Sequence, residues 1–120
     1  MNDYNQWQIT ALNMRFLKKK TDDIISAIGK YFKIDIETVA QFLVDTPPTS
    51  GYITTKDSNV KPTDVIRTIN EMLMNTLISS YENGTFIACL IACISILKTS
   101  KNKQLNTIGE QYTEILKELM

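Results

Sequence analysis

The sequence predicts a single all-α domain over residues 1–120, a bundle of five or six helices, and three observations lead there. Apolar residues recur at spacings of three and four along most of the chain, the period of a helix buried on one side. Short breaks carrying capping residues, glycine or proline cut that pattern into segments of helical length. One segment, FIACLIACISIL at 86–97, is apolar nearly all round, as a helix enclosed by others must be. A chain of 120 residues, 43% apolar and 22% charged, has the length and composition to hold such a core without cross-links.

The first helix is expected at about 4–18. Asp3 and Gln6 stand three apart, as in an acidic variant of the capping box. Trp7, Ala11, Met14 and Leu17 then recur at helical spacing, with Ile9, Leu12 and Phe16 beside them. Lys18, Lys19 and Lys20 follow, where cations suit a helix C-terminus. Thr21 is placed to cap a second helix, with Asp22 and Asp23 in its first turn. Its buried side reads Ile24, Ile25, Ile28, Tyr31 and Phe32. Asp35 caps a third helix, expected to bury Ile36, Val39, Ala40 and Leu43. Pro47 and Pro48 stop it, because proline disfavours the helical conformation in the residue before it.

The longest stretch without helical period is the loop 45–62. Within it YITT, 52–55, has the β-branched and aromatic character of a short strand, so a β-turn or wing fits there. A fourth helix opens near Pro62, proline being welcome in a first turn. Its stripe is Val65, Ile66, Ile69, Met72, Leu73, Thr76 and Leu77. Gly84 then reads as a stop and Thr85 as a cap for the central helix, about 85–98. That helix is too short for a bilayer, which needs roughly 20 apolar residues. A sixth helix is expected at about 103–119, with a seam of Leu105, Ile108, Tyr112, Ile115 and Leu119 and with Leu116 beside it. The seam docks on the bundle or on a second copy of the chain.

Composition excludes several chemistries. There is no histidine, which removes the commonest general base and metal ligand together. Cys89 and Cys93 are the only cysteines, one helical turn apart among apolar neighbours. They lack the further ligands of a zinc site and the cation or helix start that activates a thiol. Asp22 and Asp23 are adjacent and point apart on a helix; Glu110, Glu114 and Glu118 form a like-charged ladder on an outer face. Neither is a catalytic pair. No glycine-rich phosphate loop occurs. The expectation is therefore no catalytic residue, no cofactor and no metal.

Thirteen basic residues balance thirteen acidic ones, so no global field steers the protein to nucleic acid or anionic lipid. Locally the chain is polarised, with residues 1–34 at net +3 and 35–60 at net −3. Segment 21–56 has the helix order of a winged-helix domain. Its third helix, however, carries Asp35, Glu37 and Asp45 and no cation, which suits phosphate contact poorly. The N-terminal MNDYNQWQIT lacks the basic and apolar regions of a secretory signal, so a cytoplasmic setting with reduced thiols is expected. Eleven lysines against two arginines, with much isoleucine and asparagine, suggest an AT-rich genome such as that of a phage or plasmid.

By elimination the expected function is that of a small, non-enzymatic protein-interaction or regulatory module that binds another macromolecule. The expected contact residues are Tyr52, Ile53 and Lys56 of the loop and the Lys18–Lys20 cluster. Two alternatives stand beside it: a winged-helix-like DNA-binding regulator using 21–56, and a phage structural or assembly protein that self-associates through the sixth-helix seam.

Overall fold

The computed structural model describes residues 4–53, 60–76 and 83–119, without the side chains of 75, 76, 83–86 and 119. Six helices fall within them: α1 (Gln6–Phe16), α2 (Thr21–Phe32), α3 (Ile36–Asp45), α4 (Pro62–Thr76), α5 (Asn83–Lys98) and α6 (Lys103–Leu119). No strand forms among the described residues, so the chain is all-α. Tyr52 and Ile53 lie in irregular backbone instead of a wing; Thr54, Thr55 and Lys56 fall outside the described residues.

Helix α5 is the axis of the bundle and packs against α1, α2, α4 and α6. From Ala88 to Leu97 only Ile91 keeps appreciable exposure. Burying a side chain such as Leu90, Ile94 or Leu97 contributes roughly 1.5–3 kcal/mol of transfer free energy, so this helix supplies much of the core. The core is continuous: Ile9, Ile24, Val39, Val65, Leu90 and Leu116 bring one buried residue each from α1 to α6. Helix α5 begins at Asn83, so Gly84 lies in its first turn and is not a stop before it.

Local chemistry explains most boundaries. Helix α1 starts with a reciprocal capping box two residues later than the expected Asp3–Gln6 pair. Asn5 Oδ1 accepts from Gln8 N at 3.0 Å, and Gln8 Oε1 accepts from Asn5 N at 2.9 Å. Asp3 itself is outside the described residues. The helix closes in a Schellman motif, with Lys19 N donating to Met14 O and Lys18 N to Arg15 O. Lys18 sits at the left-handed position, φ 67°, where glycine is usual. Thr21 proves to be the first residue of α2, not its cap. Lys20 holds the cap position without a side-chain bond, so Asp22 and Asp23 alone favour that terminus.

Asp35 does cap α3, accepting from Thr38 N at 3.3 Å. The buried line of α3 runs through Val39 and Leu43, with Ala40 and Phe42 half-buried. Ile36, expected inside, is 61% exposed: it stands on the first turn of α3 opposite Gly29 of α2, where a Cβ would lie 3.6 Å from Ile36 Cγ1 but glycine has no side chain to cover it. Helix α6 spans the expected residues. Its contact line is Leu105, Ile108, Gly109, Tyr112 and Leu116, which leaves Ile115 43% exposed. Gly109 marks the closest approach: a Cβ there would meet Lys98 N at 3.1 Å and Leu97 Cβ at 3.3 Å. Asn106 seals the α5–α6 turn by donating to the carbonyls of Leu97, Lys98 and Ser100.

Candidate functional site

Among the described residues three polar side chains are buried, Thr10, Asn13 and Ser95, and the last two organise the surface around them. Asn13 of α1 is fully buried. Its Nδ2 donates to Ser95 Oγ at 3.0 Å, and its Oδ1 accepts from Ile53 N at 2.8 Å. Ser95 Oγ in turn donates to Ala92 O. This junction pins the loop after α3 against α1 and α5. Beside it, the Tyr52 ring packs edge-on against Phe16, with centroids 4.8 Å apart. Ile53 joins the margin of the core.

Arg15 holds the other end of the same loop. Its Nη1 donates to Leu43 O at 2.9 Å, and its Nη2 donates to Thr46 O and Pro47 O at 2.8 and 2.9 Å. One guanidinium thus satisfies carbonyls at the α3 C-terminus and beyond it, a geometry that a planar fork suits and an ammonium does not.

The expected contact residues are therefore divided. Tyr52 and Ile53 spend their apolar bodies on the bundle and remain half-buried. Lys56 lies outside the described residues. Lys18, Lys19 and Lys20 are exposed. Because Tyr52 rests on Phe16, the loop and the lysine run come near one another at the end of α1. Of the expected homodimer seam, Leu105, Ile108 and Tyr112 are partly taken up by the bundle, and the Tyr112 hydroxyl donates to Asn70 Oδ1 of α4 at 2.7 Å.

The two thiols are sealed in. Cys89 and Cys93 are both fully buried and unbridged. The Thr10 hydroxyl lies 3.4 Å from Cys93 Sγ. Hydrogen bonding to Cys93, with burial, pushes the Cys89 thiol well above its ordinary value. The bond from Cys89 lowers Cys93, against the effect of its own burial and with help from Thr10. Among the described residues no group of three or more Cys, Asp or Glu side chains is placed to hold a metal, and no helix is long and apolar enough to cross a membrane.

Two concavities among the described residues bear on function. One, of about 440 Å³, opens between Tyr52, α5 and α6, with a floor of Ile91, Ile94 and Leu116 and with Lys98 and Lys117 at its edge. The other is an open groove of about 520 Å³ between α1 and α3, where Trp7 and Phe42 form an aromatic base beside Asp35 and Glu37. The two rings meet edge-on at 5.2 Å. On the outward side of α3, Glu37, Gln41 and Val44 follow at helical spacing, and Val44 is 80% exposed.

Sequence reasoning reached Ser95 as the sole polar interruption of the apolar run but not Asn13, which it passed over inside α1. The signal was present: Asn13 stands beside Leu12 and Met14 in an otherwise apolar interior stretch. The described residues form an all-α bundle of six helices with one acidic, aromatic-based face and one apolar cleft edged by lysines. No protein-family model matches the sequence, and comparison with curated proteins and with solved structures finds no match.

Proposed function

We propose that the protein is a small, non-enzymatic interaction module whose α3 face receives a basic segment of a partner protein. The observation that carries this reading is Val44, 80% exposed on a helix that bears Asp35, Glu37 and Asp45 and no cation. An exposed large apolar side chain amid carboxylates suits a partner helix or strand that offers both hydrocarbon and lysine or arginine. The adjoining groove extends the surface: a cationic side chain entering it meets the Trp7 and Phe42 rings together with Asp35 and Glu37. The same charges disfavour α3 as a reader of DNA, since phosphate contact draws its affinity from cations. A regulatory role in a phage or plasmid setting is part of the proposal and rests on composition alone.

The test compares variants in capture from source-cell extract, followed by direct titration of the recovered partner. Val44→Asp and Glu37→Lys change exposed positions of the same outward face, so both proteins should melt like the parent. Both should lose the partner, and the lost interaction should weaken with salt. Reversal of Lys18, Lys19 and Lys20 to glutamate should spare it. If the α3 variants retain the partner and the lysine reversal releases it, the assignment is wrong. Tight, operator-specific binding of duplex DNA would replace it with the regulator reading.

A further inference from the structure

The geometry points to a second, separate site: the cleft between Tyr52, α5 and α6 binds a single-chain amphiphile with a carboxylate head, of the fatty-acid class. Its volume of about 440 Å³ falls in the range of small-molecule sites, roughly 300–1,000 Å³. The floor is aliphatic, formed by Ile91, Ile94 and Leu116. Polar groups are present in the wall, but their protons are already committed inside the protein. Ser95 donates to Ala92 O, Thr99 to Ser95 O and Thr113 to Gly109 O. A sugar or another polyhydroxyl ligand would find donors only in the Tyr52 hydroxyl and the two lysines, and none over the aliphatic floor. Hydrocarbon loses nothing by contact with such a wall.

The edge supplies the other half of the recognition. Among the described residues Lys98 and Lys117 are the charged groups that line the cleft, and no carboxylate does. Each ammonium has an acidic neighbour on α6, Glu110 at 3.7 Å and Glu114 at 3.3 Å. Both pairs are solvent-exposed, and exposed pairs of this kind are weak. A carboxylate held at the edge by an apolar tail competes with them easily. The charged groups that line the cleft itself are both cationic, so a carboxylate gains there what an uncharged head does not.

The cleft does not depend on the α3 reading, and its test uses the whole chain with defined probes. Decanoate, decanol and decyltrimethylammonium are titrated by calorimetry and by amide NMR, each below its micellar concentration. Decanoate should saturate, shifting the amides of Tyr52, Ile94 and Thr113. Its dissociation constant should tighten about fourfold per added methylene from octanoate to decanoate, the equivalent of ~0.8 kcal/mol per buried CH₂. Lys98→Met with Lys117→Met keeps the fold and the apolar stems. It should weaken decanoate at least tenfold and leave decanol unchanged. Ile91→Trp, at a half-exposed position, should block both ligands. The inference is overturned if decanoate fails to saturate, if decyltrimethylammonium binds as well as decanoate, or if the lysine variant binds decanoate as tightly as the parent.

Discussion

Asn13 and Ser95, separated by 82 positions in the chain, share a 3.0 Å hydrogen bond in the core. The bond joins α1 to α5. The same Asn13 amide also holds the backbone of Ile53, so a single side chain couples two helices and the loop. A buried polar group of this kind is costly when its partners are removed, because the orphaned donor stays desolvated.

Asn13→Leu is therefore expected to destabilise the protein by about 1–3 kcal/mol, the cost of leaving the Ile53 N–H unpaired. Ser95→Ala should cost less, since the Ile53 bond survives. Amide exchange separates the two. Ile53 should lose protection in Asn13→Leu and keep it in Ser95→Ala. Equal loss in both variants would mean that the loop is not held by Asn13.

Truncation of the central helix should be severe. Leu90→Ala removes a fully buried side chain, and such changes cost about 2–5 kcal/mol. Cys89 and Cys93 report on the same core. Both should react with a thiol reagent only as fast as the protein opens, and Leu90→Ala should speed that reaction. Rapid labelling of the native parent would contradict their burial.

Arg15→Lys is expected to be no better than Arg15→Met. Both lose the fork that bonds the carbonyls of Leu43, Thr46 and Pro47. A loss of roughly 1.5–3 kcal/mol is expected from charged hydrogen bonds of this type, read as a lower denaturant midpoint with unchanged slope. Full rescue by lysine would show that charge alone, and not planar geometry, secures the α3 terminus.

Lys18→Gly and Lys33→Gly should each stabilise the protein. Both lysines are left-handed, at φ 67° and 59°. A non-glycine residue pays about 1–2 kcal/mol there, partly offset by the roughly 0.4–1 kcal/mol that a more flexible unfolded chain costs. The net gain is roughly 0–1.6 kcal/mol by that arithmetic. A lower melting temperature in either variant would point to a side-chain role that outweighs the strain.

Much of this fold was legible because period and punctuation are local properties. The α6 boundaries, the enclosure of α5, the Asp35 cap and the Pro62 start each follow from a few neighbouring residues. Errors arose where a local signal had two equivalent readings. Asp3–Gln6 and Asn5–Gln8 have the same spacing, and only the backbone distinguishes them. Ile36 fits the apolar line of α3, but periodicity names a face without saying what stands opposite, here Gly29 of α2. The candidate sites were less legible still. Asn13 has meaning only beside Ser95 and Ile53, and Arg15 only beside the end of α3. Contacts across such separations leave no periodic trace.

The position of α5 in the chain governs the order in which the protein can be built. Thr10 meets Cys93 across 83 positions, and α1, α2 and α4 all rest on a helix made after them. During synthesis α1, α2 and α3 can pack on one another first, but the side that each of α1 and α2 turns to α5 waits for a loop closure over that distance. A nascent chain halted before α5 lacks the helix on which α1, α2 and α4 all rest, which makes it a target for chaperones and proteases until residues 83–98 leave the ribosome. Completion is late and abrupt, set by one helix.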